Sequence, residues 1–262
     1  MAVYAIIGTG NMGGALARGL CKKAAPEQVI LFNRTPEKAK RLADELGCRL
    51  AASAIEAIQA ADYILLGVKP YMMEGVIGGI AAALLPKQTL VSMAPGITME
   101  QVRRMAGGGQ AVIRIMPNTP VAVGAGMTLY TADSHVPGDV LHTFLKDLSA
   151  SGRFVYLDEH LFEAGSAVSG CGPAFAALFM EALADGGVAC GLPRAQALEL
   201  AAQMMAGTAQ LALSGLHPGP LKDQVCSPGG TTIQGVRALE KGGMRSAVME
   251  AVIAAYERSV GK

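Results

Sequence analysis

An apolar run, Val3-Tyr4-Ala5-Ile6-Ile7, passes directly into Gly8-Thr9-Gly10-Asn11-Met12-Gly13, which opens the small-residue segment Gly13-Gly14-Ala15-Leu16. Few folds accommodate all three parts at once. A strand must end in a turn tight enough to need the first glycine; the second lets a ligand approach backbone, and the third packs helix on strand. The helix that follows presents unpaired amides and the positive end of its dipole to a phosphate. A glycine-rich turn without a ligand is the competing reading, and the strand-turn-helix context disfavours it. Gly8, Thr9, Gly10, Asn11 and Met12 are therefore candidate cofactor contacts.

The rest of the first part alternates short β-branched runs with segments of helical period, as a parallel sheet with crossover helices does. Strands are expected at Val3 to Gly8, Gln28 to Asn33, Asp62 to Val68, Thr89 to Met93, Ala111 to Met116, Gly126 to Tyr130 and Arg153 to Leu157. Helices are expected at Met12 to Ala24, Pro36 to Leu46, Ser53 to Ala60, Met72 to Leu84, Thr98 to Ala106 and Pro137 to Ser149. After Asp158-Glu159-His160 the composition turns to Ala, Leu, Met and Gly, punctuated at Gly170 to Pro173, Gly191 to Pro193, His217 to Pro220, Ser227 to Gly230 and Gly242-Gly243. The expected fold is α/β: a doubly wound Rossmann-type dinucleotide-binding domain over residues 1–157, then an all-α domain over 158–262.

Charge and composition narrow the partners. Twenty-two Lys and Arg against 21 Asp and Glu give a net charge of +1, without the basic excess that nucleic acid requires. Mean hydropathy is high at +0.35. Yet Val76 to Leu85 is too short to cross a bilayer, and Ala174 to Leu192 is broken by Glu181 and Asp185, so no membrane span is expected. Small apolar residues at this density point instead to a partner chain, hence an oligomer. The five cysteines are odd in number and lack a Cys-x-x-Cys, which disfavours a disulfide framework and fits a reducing cytoplasm. The four histidines form no ligand pair at helical spacing, so no metal is expected.

Further candidates lie where the other strands end, since carboxyl ends of strands line the ligand crevice. The second strand runs into Asn33-Arg34-Thr35, where a cofactor with a free ribose hydroxyl would meet an acid. Arg34 can instead pair with a 2'-phosphate, so NADP(H) is expected to be preferred, with NAD(H) possible. Val68, Lys69 and Pro70 follow the next strand, and Ala94 lies in Ser92-Met93-Ala94-Pro95-Gly96. Lys69 either serves the cofactor or caps a neighbouring carbonyl. In Met116-Pro117-Asn118-Thr119-Pro120 the Asn118 amide suits a nicotinamide carboxamide, or else caps its own turn.

In the helical part, Ser227-Pro228-Gly229-Gly230 leads into Thr231-Thr232-Ile233-Gln234, a capping-box spacing that starts a helix. Its unpaired amides would take a small carboxylate, with Ser227, Thr231 and Thr232 hydroxyls beside them; ordinary capping accounts for these residues equally well. No histidine occurs in the segments expected to line the crevice, whereas alcohol and 2-hydroxy-acid dehydrogenases generally need an acid-base group. A C=N substrate is less demanding, because its iminium already accepts hydride.

The chain resembles the pyrroline-5-carboxylate reductases over essentially its whole length. The resemblance rests on residues 7–13, Val68-Lys69-Pro70, residues 114–120, Ser169 to Phe175, Ala182 to Gly187 and, most specifically, Leu221 to Glu240. It implies reduction of 1-pyrroline-5-carboxylate to L-proline by NAD(P)H, the last step of proline biosynthesis. It also implies a helical domain that forms a homodimer, with larger assemblies of dimers. Thr232 is implied to bond the ring nitrogen, and Ser227, Gly229, Gly230 and Thr231 to hold the carboxylate, with Glu159 and Gln224 as further polar contacts. Cys171, Phe175 and Ala54 depart from the family pattern of Ser, Tyr and Asn. The alternatives are a reductase of another small imine or 2-oxo acid, and a non-catalytic NADP(H)-binding regulator.

Overall fold

Eight strands form one sheet in the order β3-β2-β1-β4-β5-β6-β7-β8. They are β1 (Tyr4–Ile7), β2 (Val29–Phe32), β3 (Arg49–Leu50), β4 (Tyr63–Leu66), β5 (Thr89–Ser92), β6 (Ala111–Pro117), β7 (Gly126–Ala132) and β8 (Gly152–Tyr156) in the computed structural model, which describes residues 1–261. All pairings are parallel except β6 with β7. The central strands are buried on both faces, which is why their sequences are continuous apolar runs rather than alternations.

Six helices cover the sheet: α1 (Asn11–Leu20), α2 (Pro36–Leu46), α3 (Ala54–Gln59), α4 (Met73–Ala81), α5 (Met99–Met105) and α6 (Gly138–Asp147). Local chemistry sets their limits. Pro36 opens α2 and Gly47, at φ 73°, closes it, while Thr98 and Gln101 form a reciprocal capping box on α5. Tyr4, Ile6, Leu65 and Ile113 pack with Leu16, Leu20 and Phe144 on one side of the sheet. Ile7, Ile64, Leu66 and Val112 pack with Ile58, Met73, Ile77 and Val102 on the other.

Every expected strand and helix of this part is present, with ends shifted by a few residues in either direction. The short edge strand β3 was not expected: two exposed residues carry no periodicity to read.

Beyond β8 come α7 (Phe162–Ser169), α8 (Gly172–Ala189), α9 (Arg194–Leu213), α10 (Pro218–Val225), α11 (Thr231–Lys241) and α12 (Met244–Ser259). Each expected break falls at a junction of two of these helices, although Gly172-Pro173 and Pro218 to Pro220 already belong to the first turns of α8 and α10. The change to helices occurs where the sequence places it, but the packing divides later, at Gly170 rather than Leu157: Met1–Gly170 with the chain end from Tyr256 is one compact unit, and Cys171–Ala255 the other. The reason is Phe162 on α7, fully buried with Met116 and Leu129 of the sheet.

The second unit has little interior of its own. Among the described residues only Ala184, Ala197 and Ala201 are buried in it, while Leu178 is 68% exposed and Leu200 and Met249 are each 59% exposed. By length and composition alone, residues 159–189 contain an 18-residue window of mean hydropathy 1.4, enough to count as a candidate span. The run is interrupted at Gly170–Cys171, between α7 and α8, and Asp185 within it pairs with Arg194 at 2.6 Å.

Gly13 fixes α1 against β1: a Cβ there would lie 2.1 Å from the Gly8 carbonyl oxygen. Gly13→Ala should therefore cost about 1–3 kcal/mol in urea unfolding, the usual size of an overpacking strain.

Candidate cofactor and substrate sites

The sheet order reverses between β1 and β4, and the chain segments leaving those two strands frame a crevice. One hollow of about 500 Å³ is lined by Gly10, Asn11, Met12, Val68, Lys69, Pro70, Met93, Pro95 and Pro117, among others. A second, of about 380 Å³, is lined by Gly8, Phe32, Asn33, Arg34, Val68 and Met72, among others. Val68 borders both, so the two form one elongated trough at the topological switch point, where open α/β sheets bind their ligands.

The three glycines act as the fingerprint requires. Gly8 stands at φ 99°, and a Cβ on it would lie 2.6 Å from the Gly67 carbonyl oxygen. A Cβ on Gly67 would in turn lie 2.4 Å from the Gly8 oxygen, so the ends of β1 and β4 pack backbone to backbone. Gly10, by contrast, has nothing within 4 Å of where its Cβ would stand. It is the N-cap of α1, without a capping side chain and without an acid in the first turn, which leaves the helix amides to an anion.

Asn33 ties this loop to the next. Its Oδ1 accepts from the Thr9 amide at 3.2 Å, and its Nδ2 donates to the Thr35 carbonyl at 3.0 Å. The Thr9 hydroxyl is buried without a protein partner. Arg34 and Thr35 are exposed at the open end of the trough. A dinucleotide fits these features: an open glycine, uncapped amides, a cation and no carboxylate at the ribose end.

Other candidates take different positions. Lys69 is exposed on the wall of the trough. Ala94 is fully buried and offers only backbone, while its neighbours Met93 and Pro95 line the hollow. Asn118 is engaged on both sides: its Oδ1 accepts from the Met127 amide at 2.9 Å and its Nδ2 donates to the Ser169 carbonyl at 3.0 Å. That makes it a strut for the loop after β6. Glu159 is held by the Met99 amide at 2.7 Å and by Arg114 at 3.3 Å.

Sequence reading missed Arg114 and Glu163. Arg114 is 3% exposed in the apolar strand β6, paired with Glu163 at 2.7 Å and lying 4.8 Å from the Phe162 ring centroid. Glu163 also accepts from the Gly96 amide at 3.4 Å. The two carboxylates thus tie α7 and the turn just before it to the Gly96–Met99 segment that follows the crevice wall. A lone Arg inside an apolar strand is the signal that could have found the pair, since a buried charge needs a partner.

Gln224, Ser227, Gly229, Gly230, Thr231 and Thr232 lie together in the second unit, around the junction of α10 and α11. The capping box expected from Thr231 to Gln234 does not form. α11 starts one residue earlier relative to that pattern, with Gly230 as its N-cap, and Gln234 accepts instead from Arg237 at 3.1 Å. Gly229 stands at φ 68°, which favours glycine, and a Cβ on Gly230 would lie 2.3 Å from the Ser227 hydroxyl oxygen, so a side chain there would displace that hydroxyl. Ser227, Thr231 and Thr232 are exposed around a helix start that no side chain caps. Cys171 precedes α8 without capping it, and Phe175 lines an apolar groove with Met244 and Val248. Ala54 is the first residue of α3. Among the described residues no group of three or more His, Cys, Asp or Glu is placed to hold a metal.

Removing Arg114 would leave two carboxylates without their cation. Arg114→Met should lower stability by about 3–5 kcal/mol, measured by urea unfolding at neutral pH.

Comparison with known proteins agrees with both halves. The family model for pyrroline-5-carboxylate reductase dimerisation matches residues 159–261, and that for NADP oxidoreductase coenzyme F420-dependent matches residues 3–96. The chain is 42% identical to pyrroline-5-carboxylate reductase of Escherichia coli, over 97% of this chain and 95% of that one. Among solved structures, a pyrroline-5-carboxylate reductase from Coxiella burnetii superposes with a TM-score of 0.92 at 30% identity, covering 99% and 98% of the two chains. The Plasmodium falciparum pyrroline carboxylate reductase with NADP bound does so with a TM-score of 0.88 at 30% identity, covering 98% and 97%.

Proposed function

The chain belongs to the pyrroline-5-carboxylate reductase family, and from that premise we propose how its own residues divide the work. It reduces 1-pyrroline-5-carboxylate to L-proline with NAD(P)H, the last step of proline biosynthesis. Residues 1–157 hold the cofactor, and residues 158–262 pair the subunits and hold the substrate. The bound cofactor supplies the hydride.

The amides at the start of α1, with Gly8, Thr9, Gly10, Asn11 and Met12, hold the pyrophosphate. Arg34 pairs with the 2'-phosphate, Asn33 and Thr35 shape the loop beside it, and Val68, Lys69, Pro70 and Ala94 form the wall. Asn118 acts by positioning. At the other site, the first amides of α11 and the hydroxyls of Ser227 and Thr231 hold the substrate carboxylate, with Gly229 and Gly230 giving the turn its shape. The Thr232 hydroxyl donates to the ring nitrogen and orients the imine, which accepts hydride most readily once protonated. Gln224 and Glu159 add polar contacts.

One observation carries this assignment: α11 begins on a glycine, so hydroxyls that would otherwise cap the helix stay available beside its open amides.

The exposed apolar helices of the second unit are the self-association surface, and dimers assemble further through what remains exposed. We read residues 159–189 as facing protein, not lipid. The five free thiols suit a reducing cytoplasm.

The direct test follows NADPH absorbance with pyrroline-5-carboxylate, with an acyclic imine and an open-chain 2-oxo acid in parallel. Oxidation with the cyclic imine alone is expected. Preference for another substrate would remove the proline assignment, and binding of NADPH without turnover would make the chain a regulator. Thr232→Ala should lower kcat roughly tenfold to a hundredfold, the worth of a hydrogen bond to a charged group, with NADPH affinity retained. An unchanged kcat removes Thr232 from the reaction. Arg34→Ala should raise the Kd for NADPH about tenfold or more and leave that for NADH nearly unchanged.

A further inference from the structure

Two cysteines that play no part in the reaction face each other. Cys21 and Cys48 are separated by 27 positions, yet their sulfurs lie 3.3 Å apart. Both are half-buried free thiols at the margin of the same apolar cluster. Their backbones are fixed by helix ends. Cys21 follows the last residue of α1 and donates its amide to the Ala17 carbonyl at 3.0 Å. Cys48 follows Gly47, the left-handed residue closing α2, and donates to the Ala43 carbonyl at 3.1 Å. The sulfurs are already in contact, and a disulfide needs them to close further, to about 2.05 Å.

We propose that Cys21 and Cys48 form an oxidisable dithiol site, which a small hydroperoxide converts to an intramolecular disulfide. The Cys21 thiolate attacks a peroxide oxygen; the S–O bond forms, the O–O bond breaks, and the departing oxygen takes a proton and leaves as water or an alcohol. The Cys48 thiolate then attacks the sulfur of the resulting sulfenic acid. The S–S bond forms, the S–O bond breaks, and hydroxide takes a proton and leaves as water. The two thiols lose two electrons and two protons, and the peroxide is reduced by two electrons.

The order of attack follows from the contact. The contact between the two sulfurs holds Cys21 below the ordinary thiol range, while the same contact, burial and the charge of Glu27 raise Cys48. Cys21 is therefore the attacking group and Cys48 the resolving one.

The bond would staple the C-terminal ends of α1 and α2. The pyrophosphate site is at the opposite end of α1, about 15 Å away for a helix of this length. The disulfide is accordingly expected to stiffen the cofactor domain and to leave NADPH affinity unchanged. The loop it closes is released when the bond is reduced, so the gain in thermal stability should be reversible.

The test uses the purified full chain, treated with hydrogen peroxide and quenched. Thiols titrated under denaturing, non-reducing conditions should fall from five to three. Dithiothreitol should restore all five, a non-reduced peptide map should join Cys21 to Cys48, and Tm should rise on oxidation and fall back on reduction. In Cys48→Ala, Cys21 should stop at the sulfenic acid and be captured by dimedone. The map of the unaltered chain stands whether or not that variant folds. Retention of all five thiols would overturn the proposal. So would loss confined to Cys171, Cys190 or Cys226, a crosslink between any other two residues, or oxidation of Cys21 and Cys48 without a bond between them.

Discussion

Everything in the cofactor domain hangs on one close approach of backbones. At the ends of β1 and β4, Gly8 and Gly67 meet where neither could carry a Cβ, and Gly13 brings α1 onto the Gly8 carbonyl. These contacts exclude side chains, and no solvent-facing change elsewhere relieves them. They put the start of α1, the end of β4 and the reversal of strand order in one place. The open trough follows from that geometry: Gly10 is left as the bare surface on which a pyrophosphate can rest, and the uncapped amides of α1 are aimed at it.

The helical unit obeys a different constraint. Its helices bury three alanines and leave Leu178, Leu200 and Met249 largely in solvent. An unpartnered surface of this kind is stable only when covered, which is what a dimerisation domain provides. The Ser227 to Thr232 turn proposed to hold the substrate lies in this same unit. In the other unit, the buried Arg114 with Glu159 and Glu163 ties α7 to the segment after β5, joining the first residues past the sheet to a wall of the crevice.

What the sequence discloses is what has a period or a fixed spacing. The fingerprint, the fully buried strands and the five helix breaks are all of this kind, and each is present. What it conceals is contact across the chain. Asn118 reads as a ligand group because its partners, Met127 and Ser169, cannot be paired with it from spacing alone. The Thr231 to Gln234 spacing reads as a capping box, yet the preceding Gly229-Gly230 turn takes the cap position for glycine. The boundary at Gly170 depends on where Phe162 packs, and the meeting of Cys21 with Cys48 on where α1 and α2 end. Even the two-residue strand β3 exists only because β2 is there to pair with it.

The account rests on direct transfer of hydride to the carbon of the substrate's C=N bond. The most direct measurement is the reaction with NADPH carrying deuterium at the transferring position of the nicotinamide, run in ordinary water. Proline is predicted to carry one deuterium, on the ring carbon that was doubly bonded to nitrogen. Proline without deuterium, or with the label at another carbon, would contradict it.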